Sequence, residues 1–229
     1  YWLANRAAAK PGSGWTSDQV SDLLFYGFLG VRLGGRLGYI LFYNFEHVLQ
    51  QPSYLFKIWE GGLGIWGAIS IGLLGAYLRY RSLARTVELP SFAVFADALA
   101  PGILFAQAIG RIGNWFNGEL FGRPLDTWWA LDVPFRYRPF GYSEFESFHP
   151  TFLYEAIWCV LVAVALMRFG KTLKAGQVFA AYVFAYCLGR FFIELIRIDS
   201  ANTIAGLRVN VWVSVIVGVG SLLYFARGS

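Results

Sequence analysis

The run QVFAAYVFAYCLGRFFIELIR, residues 177–197, is apolar over the length of one bilayer crossing yet contains Arg190 and Glu194 and ends on Arg197. About 20 apolar helical residues span a membrane, and the mixture of Leu, Ala, Phe and Tyr without proline suits one helix. A charge near the bilayer centre costs at least about 2.5–3.5 kcal/mol, so such groups face a polar interior and not lipid. Tyr186, Arg190, Glu194 and Arg197 are spaced four, four and three apart. At ~100° per residue they share an arc of about 80° on one helix face. Arg190 can pair with Glu194, and Glu194 with Arg197, one turn on. Two readings follow: a self-neutralising structural network near a helix end, or the wall of a polar cavity.

Five more apolar runs lie outward from this one, roughly 20–43, 61–78, 89–110, 150–167 and 209–226. Hydrophobic residues make up 57% of the 229, and charged residues only 14%. About 25% charge is usual in a soluble domain, so this chain has too little polar surface for water. The expected fold is all-α, a polytopic transmembrane helix bundle forming one domain over residues 1–229. Tyr1 to Ala4 read as the last turn of a further, truncated helix. Alternating ten-residue strands, the mark of a barrel, are missing.

Basic residues set an orientation. Arg6 and Lys10, then Arg79, Arg81 and Arg85, then Arg168, Lys171 and Lys174 fall in loops that six crossings place on one side. That side is the cytoplasm. Residues 111–149, rich in aromatic side chains, then form a small extracytoplasmic cap, a depth such rings favour. Gly30, Gly34 and Gly38, and Gly64, Ala68, Gly72 and Ala76, recur every four residues and give flat faces for close helix packing.

Two other segments collect polar groups. GRIGNWFNGELFGR, residues 110–123, ends the third run with four glycines, Arg111, Arg123, Asn114, Asn117 and Glu119. Glycine lets backbone approach a ligand, and arginine suits a phosphate because its fork donates parallel hydrogen bonds. A capped helix-terminating loop explains the same residues. HPTFLYE, residues 149–155, opens the fourth run with His149 and Glu155, where Pro150 and an acid mark a helix start. Arg36 and Asp97 are further charges inside apolar runs.

Several classes are excluded. Cys159 and Cys187 lie in apolar runs with no CxxC, so no metal or redox site is indicated. The basic residues form no continuous face for nucleic acid. Soluble-hydrolase, zinc-peptidase and P-loop motifs are missing, and no cofactor is implied. The residues alone lead to an anion-handling cavity, which fits an enzyme or a membrane transporter or lipid flippase.

The motifs add a reaction. GRIGNWFNGELFGR resembles the signature of the prolipoprotein diacylglyceryl transferase family. Further stretches agree in order: PGSGW at 11–15 with GFLGVRLGGRLGY at 27–39, EGGLGIWGA at 60–68, HPTFLYE at 149–155 and YCLGRFFIELIR at 186–197. The resemblance implies transfer of the diacylglyceryl group of phosphatidylglycerol to the lipobox cysteine thiol in a preprolipoprotein signal peptide, releasing glycerol phosphate. It also implies residue roles. Arg111 matches the family's phospholipid-binding arginine and Arg190 its essential arginine, the two holding the phosphate. Glu194 orients one of them, and Arg197 belongs to the same motif. Asn114 and Asn117 reach the glycerol head group, Glu119 and Gly122 match signature positions, and Tyr186 lines the thiol's path. Arg36, Asp97, His149 and Glu155 are accessory candidates. One position departs from the family. Trp66 stands where many members carry a histidine, and an indole cannot act as a base. The thiol's proton acceptor is left unassigned: His149 or Glu155 takes it, or the thiol loses it to water or substrate.

Overall fold

The computed structural model describes residues 14–41, 45–57, 64–118, 121–138, 140–199 and 203–227. The chain groups into two units, one reaching Phe95 and the other running from Ala96 to Ser229. The stub at residues 1–4 and Glu119 lie outside the described residues, as does the side chain of Trp66.

In the first unit, helix α1 (Ser17–Tyr39) begins at a capping box. Thr16 Oγ1 accepts the Gln19 N–H at 3.2 Å, and Gln19 Oε1 accepts the Thr16 N–H at 3.0 Å. Two first-turn donors are thereby satisfied, which explains a start before residue 20. After a short helix α2 (Phe45–Gln50) and a 3₁₀ turn (Pro52–Phe56), helix α3 (Ile65–Leu83) packs on α1 through the expected glycines. A Cβ on Gly34 would collide with the Gly67 carbonyl oxygen, and one on Gly30 with that of Ile71. The partner face therefore uses Gly67 with Gly64, Gly72 and Ala76; the sequence pattern had placed Ala68 there. Arg79 and Arg81 lie within α3, not in the loop after it, and Arg79 Nη2 pairs with Asp22 of α1 at 2.6 Å.

Helix α4 (Phe92–Phe116) runs from the end of the first unit into the second. Helices α5 (Thr151–Phe169), α6 (Gln177–Ile196) and α7 (Val209–Arg227) complete the second unit's long elements. Their core is built from Ala100, Leu104, Ala108, Ala156, Cys159, Ala163 and Tyr182, so Cys159 packs as a small hydrophobe. Among the described residues, four segments are long and apolar enough to cross a membrane: Phe92–Asn117, Thr151–Thr172, Gln177–Ile196 and Val209–Arg227. They correspond to the last four expected runs. The first two runs fold in part as α1 and α3, and residues 42–44 and 61–63 lie outside the described residues.

The third run extends further than its apolar residues indicate. Arg111 to Phe116 are helical, so the signature begins inside α4 and not in a loop. No proline interrupts this stretch, and glycine is tolerated in membrane helices. The stop comes at Gly118, whose φ of 65° is the left-handed conformation that ends helices. The segment from Phe121 to Phe148 folds on a small core of Phe121, Val133 and Phe148. Strands β1 (Leu131–Asp132) and β2 (Ser147–Phe148) pair there antiparallel. It joins the end of α6 through an antiparallel bridge between Gly122 and Arg197 and an N–H from Arg123 to the Ile196 carbonyl at 2.9 Å.

Between α6 and α7 lies a hairpin, β3 (Thr203–Ile204) with β4 (Leu207–Arg208). Ala205 and Gly206 turn it with φ of 50° and 78°. Positive φ at both turn residues matches the twist of the strands. The reversal returns the chain to the end of α6.

Candidate active site

Glu155 lies in the first turns of α5, 3% exposed, between two guanidiniums from other helices. Arg111 Nε of α4 is 3.0 Å from Glu155 Oε1, and Arg190 Nη1 of α6 is 2.9 Å from Oε2. The Tyr186 hydroxyl donates to Oε1 at 3.2 Å. Three helices therefore meet at one carboxylate.

A second carboxylate continues the chain of charges. Glu194, 1% exposed, pairs with Arg190 one turn earlier on α6. It also accepts from Arg208 Nε at 2.5 Å, Asn210 Nδ2 at 3.1 Å and Arg197 Nη1 at 3.4 Å. Asp199 closes the network, with Oδ1 at 2.7 Å from Arg197 Nε and Oδ2 at 2.9 Å from Arg208 Nη2. Burial pushes the Asp199 carboxyl up, but its hydrogen bonds to Arg197 and Arg208 outweigh this and hold it below the usual carboxylate range. Among the described residues, four guanidiniums stand against three carboxylates, a formal excess of one positive charge. Buried ions need such reciprocal partners, since desolvation otherwise exceeds their attraction.

The structure thus brings together Arg111, Glu155, Tyr186, Arg190, Glu194 and Arg197. Asn114 joins at the edge, its Oδ1 accepting from Arg111 Nη1 at 3.4 Å. Asn117 is exposed just beyond the last turn of α4. Gly122 is there for close approach: a Cβ would come within 2.9 Å of His149 Cβ, the Ile196 carbonyl oxygen and Thr151 Cγ2. His149 stands aside from the ion pairs, its Nδ1 3.2 Å from the Tyr154 hydroxyl, which also accepts from Trp129 at 3.1 Å.

Two accessory candidates have other occupations. Asp97 accepts the Gly176 N–H and the Phe179 N–H, both at 2.7 Å, and so caps the far end of α6 from another helix. Helix N-termini leave such donors unsatisfied and favour an acid. Arg36 belongs to the first unit, where it is 3% exposed and donates to the Tyr54 carbonyl at 2.5 Å and the Leu55 carbonyl at 3.4 Å. Its guanidinium carbon is 4.5 Å from the Tyr54 ring centroid. It fastens the 3₁₀ turn.

Arg208, Asp199 and Asn210 were not foreseen. Asp199, two residues after Arg197, offered a local signal; Arg208 and Asn210 offered none, because the hairpin's reversal brings them in.

Apolar spans around a cluster of arginines and carboxylates define a helical membrane protein with a charged interior site. Comparison with known proteins narrows the class. The family model described as "Prolipoprotein diacylglyceryl transferase" matches residues 1–227, and the chain belongs to that family. It is 42% identical over 233 residues to phosphatidylglycerol–prolipoprotein diacylglyceryl transferase 2 of Streptomyces coelicolor, covering 96% of this chain and 69% of that one. It is 48% identical over 228 residues to the transferase of that name from Mycobacterium leprae, covering 92% and 68%. For the Paenarthrobacter aurescens protein the figures are 42% over 238 residues, 98% and 72%. The chain therefore spans about two thirds of the length of these relatives.

Proposed function

We propose that this protein transfers the diacylglyceryl group of phosphatidylglycerol to the lipobox cysteine thiol of a preprolipoprotein. The observation that carries the reading is Glu155, which holds Arg111 and Arg190 from different helices on a single carboxylate. Each guanidinium has five N–H donors, so donors remain for a phosphate.

In the reaction the bond between the glycerol carbon and the phosphate oxygen breaks. The cysteine sulfur bonds to that carbon, its proton passing to water or to the departing phosphate, and glycerol phosphate leaves with the bonding pair. Negative charge moves onto the departing group. Fixed guanidiniums in a water-poor site stabilise it without reorganising, commonly the largest catalytic contribution. Arg111 and Arg190 hold the phosphate; Glu155 and Glu194 orient them. Asn114 and Asn117 hydrogen-bond the glycerol head group, and Tyr186 lines the thiol's path. No residue is assigned as the base. Glu119, Gly122 and Arg197 complete the motif positions, with Gly122 and Arg197 joining the Phe121–Phe148 segment to α6.

The wider arrangement is part of the proposal: a single functional domain of six spans in the bacterial cytoplasmic membrane, with the Phe121–Phe148 segment as an extracytoplasmic cap. Within the Thr151–Thr172 span, Glu155 lies near one end and Lys171 at the other. The positive-inside rule then turns Glu155 toward the outer leaflet, where a secreted protein's cysteine arrives. A transporter reading gains no support from the family.

The test follows glycerol phosphate release from phosphatidylglycerol by full-length protein in detergent, with a lipobox peptide and a Cys-to-Ser peptide as control. Release should require the cysteine and fall by at least about a hundredfold in Arg190→Ala. Undiminished release by that variant, or by the serine peptide, would refute the assignment.

A further inference from the structure

One turn below the charged cluster, α4 carries a half-buried glutamine whose side-chain oxygen is buried without a hydrogen bond among the described residues. Gln107 precedes Arg111 by four residues, so both lie on one face of α4 with Gln107 about 6 Å closer to the middle of the span. Its Nε2 donates to the Tyr182 hydroxyl at 3.3 Å, while its buried Oε1 has no hydrogen-bond partner among the described residues. Tyr182 in turn precedes Tyr186 by four residues on α6, with ring centroids 6.3 Å apart. A polar column therefore descends from Glu155 through Tyr186 and Tyr182 to Gln107, between helices that otherwise present Leu104, Ala108 and Cys159. A buried polar atom without a partner is costly, and here it stands at membrane depth beside the proposed phosphate site.

We propose that Gln107, oriented by Tyr182, binds an acyl-ester carbonyl of the lipid donor. This rests on the transfer reading above. In a glycerophospholipid the two ester groups sit on the glycerol carbons beyond the one that bears the phosphate, on the side of the acyl chains. With phosphate on Arg111 and Arg190, the esters fall one step toward the middle of the membrane, at the level of Gln107. A half-turn of the terminal amide lets Tyr182 donate its O–H to Gln107 Oε1 and places the –NH₂ at the position now unpaired. The amide then donates to the ester carbonyl oxygen, and both the nitrogen and the oxygen of Gln107 have a partner. An ether-linked lipid has no carbonyl to accept that bond.

The experiment compares diester phosphatidylglycerol with its dialkyl-ether analogue as donors for the full-length protein in nanodiscs, measuring glycerol phosphate release. Gln107→Leu should raise KM for the diester lipid roughly three- to tenfold, the value of one hydrogen bond, and leave kcat nearly unchanged. For the ether lipid, KM should already be raised in the unaltered protein and should not rise further in the variant. Gln107→Met, closer in length, should repeat the pattern if the leucine variant folds poorly. An equal KM shift for both lipids, or none for either, would overturn the ester subsite while leaving the transfer reading intact. No release from either lipid by the unaltered protein would defeat the transfer reading, and the subsite with it.

Discussion

Glu155 uses both carboxylate oxygens on guanidiniums, one from α4 and one from α6. Replacing it by glutamine preserves shape and removes charge, leaving Arg111 and Arg190 to repel each other in a buried place. Breaking a buried pair this way costs about 3–5 kcal/mol. Glu155→Gln should therefore lower Tm and reduce kcat/KM about a hundredfold or more; retained activity with an unchanged melt would remove Glu155 from the mechanism. Asp199 offers a pH test, because its folded pKa lies below the ordinary value near 3.9. Its contribution to stability is complete above that ordinary value and is lost as pH falls through the lower folded one. Melts from pH 7 downward should show Tm falling below about pH 4, with a shallower acid limb in Asp199→Asn. Identical acid limbs would show that the two arginines do not stabilise the folded state through it.

At the scale of elements, α1 and α3 depend on the absence of side chains where they cross. A leucine at Gly34 would meet the Gly67 backbone and Ile71, and overpacking of this kind costs about 1–3 kcal/mol. Gly34→Leu should reduce the yield and Tm of folded protein, whereas Gly102→Leu, with open space around it, should not. Equal effects would contradict the packing. This stripe was legible because small residues recur at the helical period, and Tyr186, Arg190, Glu194 and Arg197 were legible for the same reason. Two kinds of feature were less so. Helix α4 continues through Arg111, Asn114 and the glycines, since helix boundaries follow backbone hydrogen bonds and not only hydropathy. Asp97 caps a helix whose donors are 79 and 82 residues away, and no local pattern encodes a partner at that distance. Arg208 and Asn210 likewise reach Glu194 only because the chain doubles back at Ala205 and Gly206.

For the whole molecule, the proposed orientation makes opposite ends of one span differently accessible. Phe140 is fully exposed within the Phe121–Phe148 segment, and Lys171 is exposed at the far end of the Thr151–Thr172 span. Single cysteines at these positions can be tested with a membrane-impermeant maleimide, since Cys159 and Cys187 are buried. In intact cells Phe140→Cys should label at once, and Lys171→Cys only after permeabilisation. The reverse pattern would invert the topology and remove the active site from the outer leaflet.

Helix α6 is fastened at both ends, by Asp97 at its first turn and by Arg208 and Asn210 at Glu194 in its last. Sliding it lengthwise like a piston, even by the 5.4 Å of one turn, would break both fastenings together. Motions across the helix axis, such as neighbours leaning aside or side chains swinging, leave both fastenings intact. Through such motions Arg190 and Tyr186 keep a fixed height relative to Asp97 at one end of α6 and Arg208 at the other.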